Sequence, residues 1–306
     1  MKITVIGAGN VGSLTAMRIG SDGLGDVLLI DIVKGLALGK ALDLEDARPL
    51  LKNNYNIQGS DDINQIKGSD IVVVTAGLAR KPGMTREELL VKNAKILKEI
   101  CLKIKELAGQ SIVIIVTNPL DIMTFYALQI TGFKPHRLFG MGISLDTARF
   151  INLVSQELQL PATDIEAMVI GAHGEGMLPL ASFTKVKGVS LDEFINDDKI
   201  KSLIDGTINR GAQIVANLGT GSASFAPSAA IAAIVRTIVK DEKRTLGLCS
   251  YLNGQYGIKD TCIGVPCRLG KSGIEQIIEL DLSKDQLAQL TKSAKAVAQT
   301  TAQLFA

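Results

Sequence analysis

The 306-residue chain has no tryptophan, two histidines, four cysteines and only 4% aromatic residues. Two histidines, His136 and His173, are too few for a histidine-rich metal site. Cys101, Cys249, Cys262 and Cys267 have no second Cys or His pair at zinc spacing. They are expected to be buried reduced thiols, not metal ligands or a disulfide framework. A surplus of one charge is also missing: 33 Lys and Arg face 31 Asp and Glu, for a formal net charge of +2. The basic residues are scattered, so no nucleic-acid stripe or polybasic membrane patch is expected. No uninterrupted apolar run approaches the roughly 18 residues of a membrane span. A strand-like run begins at Lys2 and leaves no room for a signal or transit peptide, so the cytoplasm is the expected location. The 30 glycines and 8 prolines are an ordinary globular load, which argues against a long linker.

What is present is a 46% hydrophobic composition, enough for large cores. At about 150 residues per domain, the length suggests two domains. The most informative segment is Met1 to Asp31. Lys2 to Ile6 reads as a strand, Gly7, Gly9 and Gly12 fill the three positions of Gly-x-Gly-x-x-Gly, and Asn10 to Ile19 reads as a helix. Asp31 ends a second strand, Val27 to Ile30, about 20 residues further on, which is the context that a dinucleotide-binding turn requires. Gly7 permits the turn, Gly9 lets the backbone approach a pyrophosphate, and Gly12 lets helix and strand pack closely. The helix N-terminus faces phosphate charge. Asp31 can accept both ribose hydroxyls of an adenosine. A 2′-phosphate would meet its negative charge, and Ile32 and Val33 offer no offsetting cation, so NAD is favoured over NADP.

The first half alternates strand and helix. Val33 to Ala47 reads as helix and Asn56 to Gly59 as a short strand. Asp70 to Thr75 and Ser111 to Thr117 are apolar on both faces, like buried parallel strands, and Glu87 to Leu107 lies between them with helical spacing. This order predicts an α/β fold with an N-terminal Rossmann-type, doubly wound parallel sheet. Gly7, Asp31, Gly77 and Asn118 fall just after strand ends, at the edge where such sheets bind ligands. In the second half, Leu145 to Leu158, Lys199 to Leu218 and Ala226 to Lys240 read as helices. Ile165 to Ile170, Leu180 to Lys187, Thr245 to Leu252, Thr261 to Arg268 and Gly273 to Leu280 read as strands, and a last helix runs from Ser283 towards Leu304. This predicts a C-terminal α+β substrate domain, with residues 1–143 forming the first domain and 144–306 the second.

Taken singly, the remaining polar signals are ambiguous. His173 is flanked by Gly171, Gly174 and Gly176, which leave its ring accessible. By itself such a histidine is more often structural than catalytic. Asp146 and Arg149 sit one turn apart on a predicted helix, which is also what a simple surface ion pair would show. Gly77 to Glu88, with Arg80, Pro82, Gly83 and Arg86, could be an ordinary exposed loop.

Together, however, these segments resemble the NAD-dependent malate dehydrogenases of the lactate/malate dehydrogenase family. The resemblance covers essentially the whole chain. It rests on Gly-Ala-Gly-Asn-Val-Gly (7–12), Asp-Ile-Val-Lys-Gly (31–35), Gly-Leu-Ala-Arg-Lys-Pro-Gly-Met-Thr-Arg (77–86), Thr-Asn-Pro-Leu-Asp (117–121), Leu-Asp-Thr-Ala-Arg-Phe (145–150) and Gly-Ala-His-Gly (171–174). It implies that His173 exchanges a proton with the substrate hydroxyl while Asp146 holds the other ring nitrogen. It also implies that Arg149 forks onto the substrate carboxylate. Segment 77–88 would be a lid in which Arg86 polarises the reacting carbonyl and Arg80 pairs with a second carboxylate. Asn118 would contact substrate and nicotinamide. Gly7, Gly9, Asn10, Val11, Gly12, Asp31, Ile32, Thr75, Ala76, Gly77, Asn93, Val116 and Asn118 would line the NAD site.

Arg80 points to a dicarboxylate, malate or oxaloacetate, because lactate-specific relatives usually carry a neutral Gln there. Ala223 is small enough to leave room for the longer acid. The family often continues the histidine motif as His-Gly-Asp, where this chain has His173-Gly174-Glu175-Gly176. The implied assembly is a homodimer or homotetramer. Two other readings stay open: a lactate or other 2-hydroxy-acid dehydrogenase, and a non-catalytic NAD-binding protein.

Overall fold

The computed structural model describes residues 1–78 and 85–305. The chain begins β1 (Lys2–Ile6), α1 (Asn10–Ser21), β2 (Asp26–Ile30), α2 (Leu36–Leu51) and β3 (Ile57–Ser60). It continues β4 (Ile71–Val74), α3 (Arg86–Leu107), β5 (Ile112–Ile115), α4 (Leu120–Thr131) and β6 (Leu138–Gly140). Val and Ile dominate β4 and β5, and every residue in both is buried, because helices cover both faces of the sheet. These six strands are parallel and ordered β3-β2-β1-β4-β5-β6. The strand order reverses between β1 and β4, which opens a crevice beyond their carboxyl ends.

α2 differs from the predicted Val33 to Ala47. It starts at Leu36 because Gly35, with φ 76°, turns the chain left-handed just before it. It then runs through Pro49 to Leu51. Proline removes the N–H that would reach Glu45, and the Arg48 Nε donates to that carbonyl instead, at 3.3 Å. α4 and β6 carry no sequence prediction above.

The second half contains α5 (Ser144–Leu158), β7 (Ile165–Glu166), β8 (Val169–Gly171), β9 (Met177–Pro179), β10 (Lys185–Val186), β11 (Val189–Ser190), α6 (Asp197–Leu218) and α7 (Phe225–Val239). It ends with β12 (Arg244–Asn253), β13 (Lys259–Gly270), β14 (Gly273–Ile277) and α8 (Lys284–Ala302). β12 pairs with β6 at Cys249 and Gly140, so the parallel sheet continues into antiparallel strands and reaches 11 strands among the described residues.

Two predicted strands are corrected. Ile165 to Ile170 is not one strand: β7 joins a small sheet with β10 and β11, whereas β8 enters the large sheet beside β13 and β9. The switch falls at Ala167 and Met168, where the Met168 carbonyl accepts from Leu180 N–H at 2.9 Å. Leu180 to Lys187 is mostly not strand either. Ala181–Phe183 forms a 3₁₀ turn, and the Thr184 hydroxyl donates back to the Leu180 carbonyl at 2.9 Å, leaving only β10 extended.

One apolar core runs through the parallel sheet, β12 and β13. A second, containing Phe150, Val154, Val169 and Leu203, lies where α5 and α6 meet β8. The four cysteines are buried and unpaired. No helix among the described residues is long and apolar enough to cross a membrane.

Candidate active site

At the end of β1 the chain turns at Gly7, with φ +105°. A Cβ on Gly12 would stand 1.8 Å from the Gly7 carbonyl oxygen, so only glycine allows α1 to pack this close. A Cβ on Gly9 would meet nothing within 4 Å, which marks the open side of the turn. No side chain caps α1 at Gly9. The first-turn N–H groups of Asn10, Val11 and Gly12 therefore carry the helix's positive end outward, the arrangement that binds phosphate.

Asp31 leaves β2 beside this turn. Its Oδ2 accepts from Ala8 N–H at 2.6 Å and its Oδ1 from Val33 N–H at 2.9 Å. Ile32 is 93% exposed next to it. Open turn, uncapped donors and adjacent carboxylate fit a dinucleotide.

The loops after β1, β4 and β5 are stapled together. The Thr75 hydroxyl donates to the Gly7 carbonyl at 3.0 Å and that of Thr117 to the Ala76 carbonyl at 2.7 Å. A Cβ on Gly77 would stand 2.9 Å from the Thr117 methyl. Ala76 and Val116 are half-buried, and Asn118 is exposed. Asn93, from α3, is 1% exposed. Its amide accepts from Leu78 N–H at 2.8 Å and donates to the carbonyls of Leu78 and Asn118 at 3.2 and 2.8 Å. With those bonds made, Asn93 braces the two loops. Arg80 and the Arg86 side chain lie outside the described residues. α3 itself starts in a capping box, with Thr85 and Glu88 each accepting from the other's N–H at 3.1 Å.

The second group of residues surrounds His173, which follows β8. Its Nδ1 lies 2.6 Å from Asp146 Oδ2, and Arg149 Nη1 donates to Asp146 Oδ1 at 2.9 Å. Asp146 is fully buried in the first turn of α5. An anionic Asp146 makes Nδ1 the donor and leaves Nε2 for the outside, and the imidazole remains 18% exposed. Arg149 Nε is buried without a hydrogen-bond partner among the described residues. Such a donor is costly to leave unmet and suits an incoming carboxylate. Burial pushes the His173 pKa down, but Asp146, as charge and acceptor, and the charge of Asp121 outweigh burial and the opposing Arg149. The net result is a pKa above the ordinary imidazole value.

Two residues that the sequence reading did not single out hold this loop. Asp121, in the first turn of α4, accepts His173 N–H on Oδ2 at 2.8 Å. Ser293, on α8, accepts from Ala172 N–H at 3.1 Å and donates to the Gly176 carbonyl at 2.9 Å. Asp121 closes the Thr-Asn-Pro-Leu-Asp motif, which was a usable signal. Ser293 lies within the predicted last helix, where nothing in the spacing marks it out. A Cβ on Gly176 would stand 2.6 Å from Ser293 Oγ, so the glycine that departs from the family pattern sits where α8 presses on the loop. Because Asp121 comes three residues after Asn118, the histidine loop is tied to the carboxyl edge of β5. No group of three or more His, Cys, Asp or Glu among the described residues could hold a metal ion.

A dinucleotide cradle at a parallel-sheet edge, with a carboxylate-bound imidazole tied to the same edge, is the build of a nicotinamide-dependent oxidoreductase. Comparison with known proteins narrows the class. Residues 1–140 match the lactate/malate dehydrogenase NAD binding domain and residues 143–306 the lactate/malate dehydrogenase alpha/beta C-terminal domain. The chain belongs to the lactate/malate dehydrogenase family. It is 45% identical over 307 residues to a malate dehydrogenase of Chlorobium luteolum, covering 100% of this chain and 99% of that protein. Its fold is similar to the apo malate dehydrogenase of Picrophilus torridus, with a TM-score of 0.96, 39% identity and coverage of 99% and 97% of the two chains. It is nearly as similar to a Cryptosporidium parvum lactate dehydrogenase complexed with lactic acid and nicotinamide adenine dinucleotide, at TM-score 0.95, 35% identity and 99% and 97% coverage. Both activities share this backbone, so side chains must set the substrate.

Proposed function

We propose that the chain is an NAD-dependent malate dehydrogenase that interconverts (S)-malate and oxaloacetate. The observation that carries the mechanism is the 2.6 Å contact between His173 Nδ1 and buried Asp146. Asp146 fixes the tautomer and steadies the imidazolium, so Nε2 takes the malate hydroxyl proton as the C2 hydride departs. In reverse, protonated His173 returns that proton to the oxaloacetate carbonyl oxygen. NAD, when bound, supplies the hydride acceptor at C4 of its nicotinamide. Arg149, whose Nη1 is held by Asp146 and whose Nε has no hydrogen-bond partner among the described residues, binds the substrate's C1 carboxylate.

For the cofactor, N–H groups of Asn10, Val11 and Gly12 meet the pyrophosphate, Asp31 accepts the ribose hydroxyls and Ile32 covers the adenosine. Thr75, Ala76, Gly77 and Val116 form the floor. Asn118 reaches substrate and nicotinamide from a loop that Asn93 braces. Arg86 polarises the carbonyl and Arg80 pairs with the second carboxylate. An enclosed Arg80 facing a methyl group would cost about 3–5 kcal/mol, and each 1.36 kcal/mol is about tenfold in rate, so oxaloacetate should beat pyruvate by about two orders of magnitude or more. The functional halves divide at 143/144. The protein works in the cytoplasm as a homodimer or homotetramer, a reading supported by exposed Leu38, Leu42, Val215, Leu218 and Phe225.

Likeness to the Cryptosporidium lactate dehydrogenase favours one competing reading, a lactate or other 2-hydroxy-acid dehydrogenase. NAD reduction by (S)-malate, beside (S)-lactate and beside NADP as acceptor, separates them. Malate with NAD should dominate, and equal or faster turnover with lactate would reject the proposal.

A further inference from the structure

Asp121 is a buried acid that the proton relay above leaves without a task. It is 4% exposed, and its Oδ2 holds the His173 main chain at 2.8 Å. Any small acceptor, such as an asparagine amide oxygen, could make that one bond. A carboxylate at this depth is costly unless its charge is used. Its Oδ1 is buried without a hydrogen-bond partner among the described residues, so hydrogen bonding does not fully compensate that charge.

Two features of the surroundings favour the anion all the same. It lies in the first turn of α4, where the helix's positive end is. Its Oδ2 also lies 2.8 Å from the His173 main-chain nitrogen, which places the carboxylate beside the residue that carries the ring. The charged and titratable groups acting on the ring are Asp146 and Arg149 from α5 and Asp121 from α4. Behind Asp121 stand the thiol of Cys249 from β12 and, next to that, Cys262 from β13. Burial pushes the Asp121 pKa up and Asp146 raises it further; the Cys249 thiol, the His173 N–H and the ring's charge offset this only in part, and the net result lies above the ordinary carboxylate value. Asp146 already shares its charge with Arg149 at 2.9 Å. A second anion, bonded to the main chain of the same histidine, balances that cation when the imidazolium forms.

We propose that Asp121 is a positioning residue whose negative charge, together with its bond to the His173 main chain, supports the imidazolium that forms when malate gives up its proton. The inference rests on the malate dehydrogenase reading and adds to it a second carboxylate with a separate role. Asp146 grips the ring nitrogen; Asp121 grips the backbone and acts on the ring through space.

Asp121→Asn keeps an oxygen for the His173 N–H and removes the charge. The pH at which oxaloacetate reduction falls away, and at which malate oxidation rises, should move down by about one unit. Asp121→Ala should move it as far and also lower kcat, by about tenfold, through loss of the anchor. A merely structural Asp121 would leave the Asn variant's pH profile on that of the unsubstituted enzyme, and that result overturns the proposal.

Imidazole ¹³C NMR reads the same shift without turnover. The chain has only two histidines, and His136→Asn identifies their signals. The His173 titration should drop in Asp121→Asn whatever the substrate is, so failure of the substrate reading stays distinguishable. If the Asn variant does not fold, carboxyl ¹³C NMR of the unsubstituted protein decides. An ionised Asp121 across the active pH range supports the proposal, and a neutral one overturns it.

Discussion

Between Gly7 and Gly12 the chain offers a ligand main-chain N–H groups from one turn and one helix; around His173 it works with side chains drawn from α4, α5 and α8. The first region depends on the absence of side chains. With 1.8 Å between a Gly12 Cβ and the Gly7 carbonyl, and no cap on α1, the cradle is set by backbone approach. The second depends on charge. Asp146, Arg149 and Asp121 each alter the proton affinity of the His173 ring. A backbone site should therefore fail by crowding and lose cofactor affinity. A charge site should fail by altered proton transfer and leave the cofactor in place.

Substitutions can break this division, and the largest effect is expected at His173. His173→Asn should lower kcat by about 10²–10⁴-fold while NADH fluorescence titration still shows binding. Near-normal turnover would remove His173 from the relay. Next, Arg80→Gln should cut the preference for oxaloacetate over pyruvate by about 100-fold, read from kcat/KM for each acid. An unchanged ratio would count against the lid assignment. Gly12→Ala should weaken NADH binding and cost about 1–3 kcal/mol of stability in denaturant unfolding, with kcat at saturating cofactor falling much less. Loss of kcat alone would show that the two regions are not separable in this way.

A smaller effect concerns pH. Because the His173 pKa is raised, the imidazolium survives above the ordinary midpoint of about 6.5. Oxaloacetate reduction should hold past that pH and fall only as pH rises through the raised value, with malate oxidation rising over the same window. The stability that protonated His173 adds follows the same sign: it is complete below about 6.5 and lost through the raised value. Smallest of all, thiol reagents at pH 8 should leave Cys101 and Cys267 untouched until the protein unfolds, since burial pushes both thiols up to about 12.

The same contrast explains what could be read from the residues alone. The cradle is local: strand, glycines and helix follow each other within a short stretch, and Asp31 closes the next strand, so spacing carries it. The parallel strands β4 and β5 announce themselves as short Val and Ile runs. The histidine site is assembled across the chain. Asp146 and Arg149 share a helical turn, but nothing in spacing ties them to His173, and family resemblance made that link. Asp121 and Ser293 act on the backbone beside the histidine, and such contacts leave no periodic trace. The runs at 165–170 and 180–187 look like continuous strands in the sequence, but a switch between sheets divides the first and a side-chain hydroxyl bond breaks the second. α4 carries Asp121, which ties the histidine loop to β5, yet its mostly apolar sequence shows no amphipathic stripe.

If Arg80 pairs with a second carboxylate as proposed, the enzyme must separate dicarboxylates from monocarboxylates. The most direct test is NADH oxidation by oxaloacetate and by pyruvate, side by side on the same enzyme at saturating NADH. The expected kcat/KM is higher for oxaloacetate by about 100-fold or more. Equal values, or a preference for pyruvate, would contradict it.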